Sequence, residues 1–163
     1  MGHRVRREHH LLVTTLFEAM GGAAGVQRLA DAWHARLLAD EVAAHPFRRG
    51  IRVDHTQRLA AYWSEILGGP ATYSRLCGDQ SSVVRMHSGN GDVRDLDEHA
   101  VACFDQALTD TGLADDQRLR RTLHDWFVAA TAETTERYPR SADDVPDGLP
   151  MPRWSWDGPV RGN

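Results

Sequence analysis

The sequence predicts an all-α domain followed by an irregular C-terminal extension. Three observations carry this: apolar residues recur at spacings of three and four through most of the first 138 residues, no stretch alternates with period two, and prolines at 139, 146, 150, 152 and 159 interrupt the end. A chain of 163 residues suits a single domain with material to spare. The reading is a loose, polar arm over 1–10, a helical domain over 11–138 and an extension over 139–163.

In chain order, Arg4, Arg6, Arg7, His9 and His10 leave the arm without an apolar face. Leu12, Leu16, Phe17 and Met20 suit a short helix over 11–20, which Gly21 and Gly22 end. Val26, Leu29, Ala30, Trp33 and Leu37 form one helical stripe over 24–38, with His34 at its margin. Residues 40–52 carry turn signals, and Phe47 is the one large apolar group among them that calls for burial. A second stripe over 53–67 places His55, Leu59 and Trp63 or Ile66 on one face. Gly68, Gly69 and Pro70 stop that helix, and a short helical piece over 73–77 follows. Residues 81–87 read as a short turn ending in His87, and 88–92 as a glycine-containing turn. Helices over about 95–111 and from an Asp115 N-cap to about Tyr138 complete the domain. Trp154 and Trp156 require burial, so Met151 to Trp156 is expected to pack back onto the domain or onto a partner.

Composition narrows the function classes. A formal charge of -4 provides no general attraction to nucleic acid or anionic lipid, and the arginine-only basic set, without a lysine, does not change that. No apolar run is long enough to span a membrane and no signal-peptide pattern is present, and the sparse cysteines make a reducing cytoplasm the expected compartment. Cys77 and Cys103 are too few and too far apart for a disulfide framework. Glu41 and His45 have i, i+4 spacing but lack the second pair of a di-metal carboxylate site. His87 is the candidate metal ligand, because a neutral imidazole between a glycine-bearing segment and a helix can give a nitrogen to a metal.

The ordered landmarks Phe17-Glu18-Ala19-Met20-Gly21-Gly22, Trp33-His34, Phe47, Arg58-Leu59, Gly68-Gly69-Pro70-Ala71-Thr72-Tyr73 and Arg85-Met86-His87 resemble those of the truncated hemoglobins, group II in particular. The resemblance covers roughly Leu16 to Tyr138, and its most specific part is Gly-Gly-Pro-x-x-Tyr followed by a Met-containing turn that ends in His. It implies a shortened globin fold, a two-over-two helical sandwich around heme b, with an irregular tail. His87 matches the proximal iron ligand, whose other ring nitrogen is expected to donate to a backbone carbonyl. Phe47 matches the aromatic that wedges against the porphyrin, and Arg58 a base that reaches a propionate. Leu59, Tyr73, Arg85 and Val101 are the further residues assigned by this resemblance to the cofactor pocket.

Three positions depart from the group II pattern: His34 replaces a usual tyrosine, His55 a usual small residue and Val101 a usual tryptophan, with one residue inserted between His87 and Val101. His34 and His55 can each donate an N–H to a bound diatomic ligand, take the sixth position on the iron, or serve as general acid or base. Val101 removes an indole donor and opens space, so weaker dioxygen binding and easier access for nitric oxide or peroxide are expected.

The function implied is a histidine-ligated heme protein that binds dioxygen, nitric oxide or carbon monoxide, with nitric oxide or peroxide detoxification as redox activity and a reductase as partner. The alternatives are a peroxidase-like heme enzyme acting on a small substrate, a gas sensor signalling through the extension, and a cofactor-free helical domain. A monomer or homodimer is expected. A carboxylate partner on the proximal histidine would favour peroxidase chemistry, and a backbone carbonyl would favour gas binding.

Overall fold

The computed structural model describes residues 14–161; the expected arm over 1–10 and Leu11 to Val13 lie outside them. Seven α-helices follow in order: α1 (Leu16–Ala19), α2 (Gly22–Ala39), α3 (His55–Ile66), α4 (Thr72–Leu76), α5 (Gln80–Met86), α6 (Arg94–Asp110) and α7 (Gln117–Thr131). None of the described helices is long and apolar enough to cross a membrane.

The helix pairs α2–α3 and α6–α7 pack face to face, and α2 also lies against α6. Their apolar stripes meet in one core. Trp63 of α3 stands 5.3 Å from Trp33 of α2, 5.8 Å from Phe104 of α6, and 5.7 and 6.0 Å from Trp126 and Phe127 of α7, ring centre to ring centre. Phe104 and Phe127 stack at 4.1 Å. The edge-on contacts of Trp63 with Phe104, Trp126 and Phe127 each add about 0.5–1.5 kcal/mol to the burial itself. The indole N–H of Trp33 donates to the Ala100 carbonyl at 3.0 Å, and Arg36 forks onto Asp110 at 2.7 and 2.8 Å, so α2 and α6 are joined at two levels.

Local chemistry sets the boundaries. The left-handed backbone of Gly21, φ +98°, turns the chain from α1 into α2, and a Cβ on Gly25 would lie 1.8 Å from the Met20 carbonyl oxygen; only glycine lets α1 end against α2. Residues 81–86, expected as a turn, belong to α5 instead, because the Asp79 carboxylate accepts from the Ser82 amide at 2.8 Å and caps a new helix. The cap of α7 is Asp116, one residue later than expected, since Gly112 opens a 3₁₀ turn over Leu113–Asp115. Regular α geometry ends at Thr131 and continues as a π segment over Ala132–Glu136. There the hydroxyls of Thr131 and Thr134 donate back to the carbonyls of Phe127 and Ala130, at 2.7 and 3.0 Å.

The extension is more ordered than its prolines suggest. It forms a 3₁₀ turn over Ala142–Asp144 and a two-residue hairpin, Trp154–Ser155 against Gly158–Pro159. Met151, Trp154 and Trp156 pack against the main core, and the Trp156 indole donates to the Thr14 carbonyl at 2.7 Å. Arg118 of α7 lies 4.6 Å over the Trp156 ring.

Asp97, in the first turn of α6, is buried and accepts from the Thr135 hydroxyl, and burial raises its pKa to about 6. A carboxyl with a folded pKa above its unfolded value binds its proton more tightly when folded, so stability falls as the pH rises from about 4 to about 6 and is level above that. Asp97→Asn is therefore expected to raise the unfolding free energy at pH 7 by about 1–2 kcal/mol and to flatten this slope, as read from urea melts across that range.

Candidate functional site

His34, Phe47 and His55 come from three separate elements and meet at one end of the α2–α3 pair. Ring centres are 5.1 Å apart for His34 and His55, 5.3 Å for His34 and Phe47, and 5.6 Å for Phe47 and His55. The loop that delivers Phe47 is anchored by Asp40, whose Oδ1 accepts from the amides of Val42 and Ala43 at 3.0 and 2.9 Å and whose carboxylate holds His99 of α6 at 3.0 Å. A 3₁₀ turn over His45–Phe47, with Pro46 pre-setting its backbone, then places the Phe47 ring between the two imidazoles and the end of the loop.

Nδ1 of His34 and Nε2 of His55 are buried and have no hydrogen-bond partner within the described chain. Burial lowers the pKa of His34, with Asp31 opposing. Burial likewise lowers His55, reinforced by the neighbouring imidazoles of His34 and His87 and opposed by Asp54. Both rings are therefore held in the neutral form, each with one N–H donor and one bare nitrogen. Two unsatisfied ring nitrogens converging beside an aromatic edge are costly in a closed core and make sense at the wall of a ligand site.

His87 is the C-cap of α5, and its geometry follows from how that helix ends. The His87 amide turns to the Val84 carbonyl at 3.1 Å and the Ser88 amide to Arg85 at 3.3 Å, so the last turn tightens and the His87 amide does not occupy the Val83 carbonyl. The imidazole takes that carbonyl: Nδ1 lies 2.7 Å from the Val83 oxygen and donates to it. Nε2 is thereby the bare nitrogen, with its lone pair available. His87 itself is solvent-exposed in the chain alone, as are Ile51 and Val53 ahead of α3 and Leu76 and Met86 at the ends of α4 and α5. Val53 and Met86, 103% and 68% exposed, are apolar side chains flanking histidines on both sides of the site, the arrangement that an apolar macrocycle would cover. The residues present thus fit a heme whose iron His87 would ligate.

The remaining expected pocket residues divide. Arg58 of α3 donates to the Cys77 carbonyl at 3.3 Å and lies beside Tyr73, where it offsets part of the burial that raises that phenol. Tyr73 is buried against Tyr62 at 5.1 Å, and Leu59 and Val101 are half-buried against the main core. Arg85 is not directed to the site: its guanidinium donates to the Val145 carbonyl at 3.1 Å and pairs with Asp147. The sequence reading missed Gln80, whose Oε1 accepts from the Tyr62 hydroxyl at 2.7 Å and ties α5 to α3 across the site. It also missed Ser81, buried where α5 meets the extension. Asp79 as an N-cap three residues before Ser82 was the available signal for the helix that carries both.

The model of the bacterial-like globins matches residues 15–132, stopping short of the extension. No curated protein matches the chain by sequence. Among solved structures, the group II truncated hemoglobin from Bacillus anthracis aligns with a TM-score of 0.64 at 18% identity, covering 77% of this chain and 93% of its own. A thermostable hemoglobin from the actinobacterium Thermobifida fusca aligns with a TM-score of 0.63 at 24% identity, covering 76% and 99%. The truncated oxygen-avid haemoglobin from Bacillus subtilis aligns with a TM-score of 0.63 at 15% identity, covering 75% and 99%.

Proposed function

Because the chain belongs to the bacterial-like globins, with the fold of the truncated hemoglobins, we propose that it is a gas-binding heme protein in which His87 is the proximal ligand and His34 and His55 receive the distal ligand. The observation that carries this reading is the 2.7 Å contact from His87 Nδ1 to the Val83 carbonyl. A neutral carbonyl orients the imidazole and fixes its tautomer without making it imidazolate-like, as a carboxylate partner would; this supports reversible ligand binding over peroxidase chemistry. Heme b, when bound, supplies an iron with one coordination position open to dioxygen, nitric oxide or carbon monoxide.

The protein's own contribution on the distal side is a pair of neutral imidazoles. His34 and His55, with partnerless nitrogens in a buried setting, offer an N–H to a ligand that carries partial negative charge. Phe47 keeps water from the same edge and holds both rings in place. Arg58, anchored at the Cys77 carbonyl, stands where α3 and α4 meet and would pair with a propionate.

The test is the visible spectrum of the reconstituted protein in ferric, reduced and reduced, carbon monoxide-bound forms. An intense Soret band that moves with carbon monoxide is expected. No heme band after addition of hemin would overturn the proposal. The double variant His34→Leu/His55→Leu is expected to release dioxygen about 10- to 100-fold faster, the worth of about 1.5–3 kcal/mol for a hydrogen bond to a charged acceptor. Stopped-flow displacement by carbon monoxide measures it, and the single variants report which ring donates.

A further inference from the structure

We infer that the C-terminal extension is a strap that sets the position of His87, with Ser81 and Arg85 as its positioning residues; this rests on the reading of His87 as the heme ligand. Helix α5 has seven residues, Gln80–Met86, too few for a helix to persist on its own propensity. Its register must be imposed by contacts, and on one side the extension supplies them.

The Ser81 hydroxyl is buried, donates to the Pro146 carbonyl at 2.7 Å and accepts from the Leu149 amide at 3.1 Å, so both hydrogen-bonding roles of one side chain are used by the extension. One turn later Arg85 donates to the Val145 carbonyl at 3.1 Å and pairs with Asp147. Val145 between them is buried. Just after His87, the amides of Gly89 and Gly91 donate to the carbonyls of Tyr138 and Pro139 at 2.9 and 2.8 Å. Gly89 has φ +77°, and a Cβ there would come within 3.3 Å of the Ala142 amide nitrogen, so the chain lies directly against the turn. The helix is thus held at its first turn, its last turn and the turn beyond. The far end of the extension is fixed independently, by Trp156 on the Thr14 carbonyl and Arg153 on the Glu65 carbonyl at 2.7 and 3.4 Å. Because the Val83 carbonyl that orients His87 belongs to the same short helix, displacement of α5 carries both the imidazole and its acceptor.

Two variants cut the same contact from opposite sides: Ser81→Ala removes the hydroxyl, and Leu149→Pro removes the amide donor without touching α5. In the heme-loaded ferrous protein, the iron–histidine stretching band in the resonance Raman spectrum is expected to be displaced in both. In the apo-protein, amide hydrogen exchange in α5 is expected to speed up about tenfold while the core amides of α7 are unchanged. A band unmoved in the folded variants, with wild-type exchange in α5, would overturn the strap and leave the heme reading standing. A wild-type protein without any iron–histidine band, in which His87→Ala changes nothing, would overturn the ligand assignment and this inference with it. Ser81→Ala failing to fold would leave Leu149→Pro to decide.

Discussion

His87→Gly is expected to abolish histidine ligation while leaving the apo-protein folded. The imidazole is exposed at the C-cap of a short helix, at φ -105°, a backbone conformation that glycine adopts freely, so its removal costs the fold less than about 1 kcal/mol. What is lost is the one nitrogen oriented by the Val83 carbonyl at 2.7 Å. The reduced protein is then expected to lack the five-coordinate histidine spectrum and to release hemin to an apo-globin acceptor at least about tenfold faster, since disturbing even an outer partner of a ligating histidine costs that much. Added imidazole should restore the histidine-type spectrum. An unchanged spectrum in the variant would mean that another side chain ligates the iron, and His55 is the one to test, because His87 is already within electrostatic reach of it.

The largest expected effect on folding is at Trp63. Its ring is 3% exposed and meets Trp33, Phe104, Trp126 and Phe127, one or more from each of the other three long helices. Trp63→Ala removes the residue common to those contacts and leaves a cavity that four large rings on separate backbones cannot close, at a cost of about 3–5 kcal/mol in urea unfolding. Trp63→Phe should cost less than half of that. The loss also reaches the site, because Trp63 shares α3 with His55 and Arg58: the alanine variant should bind hemin more weakly than wild type even where it remains folded.

Much of the fold was legible because long helices advertise their buried face. Of the stripe expected in α2, Val26, Leu29, Ala30 and Leu37 are buried and Trp33 is half-buried; in α7, Leu119, Leu123, Trp126 and Phe127 are buried at spacings of three and four, with Ala130 half-buried. α5 was not legible in the same way: seven residues hold less than two full turns of pattern, and Ser81 and Gln80 are buried for their hydrogen bonds rather than for apolar surface. The end of α7 was misjudged for a related reason. Threonines that return their hydroxyls to the preceding turn are ordinary polar residues in a periodicity count, yet here they loosen the helix into a π segment.

For the site, the resemblance to the truncated hemoglobins, rather than periodicity, singled out His87, Phe47, His34 and His55 and implied a backbone carbonyl behind His87. That much is local, since a ligand-capable side chain next to a helix end, and an aromatic stranded in a polar loop, are properties of a few adjacent residues. Which carbonyl His87 takes is decided four residues away, by how α5 ends at Val83; that His34 and His55 stand 5.1 Å apart with unpaired nitrogens, and that Arg85 turns to the extension, depend on residues 21 and 62 positions apart in the chain. The last two outcomes come from how α2, α3 and α5 are docked and from where Val145 to Leu149 lands on α5, and docking is set by the packing of whole helices rather than by any segment's own preference.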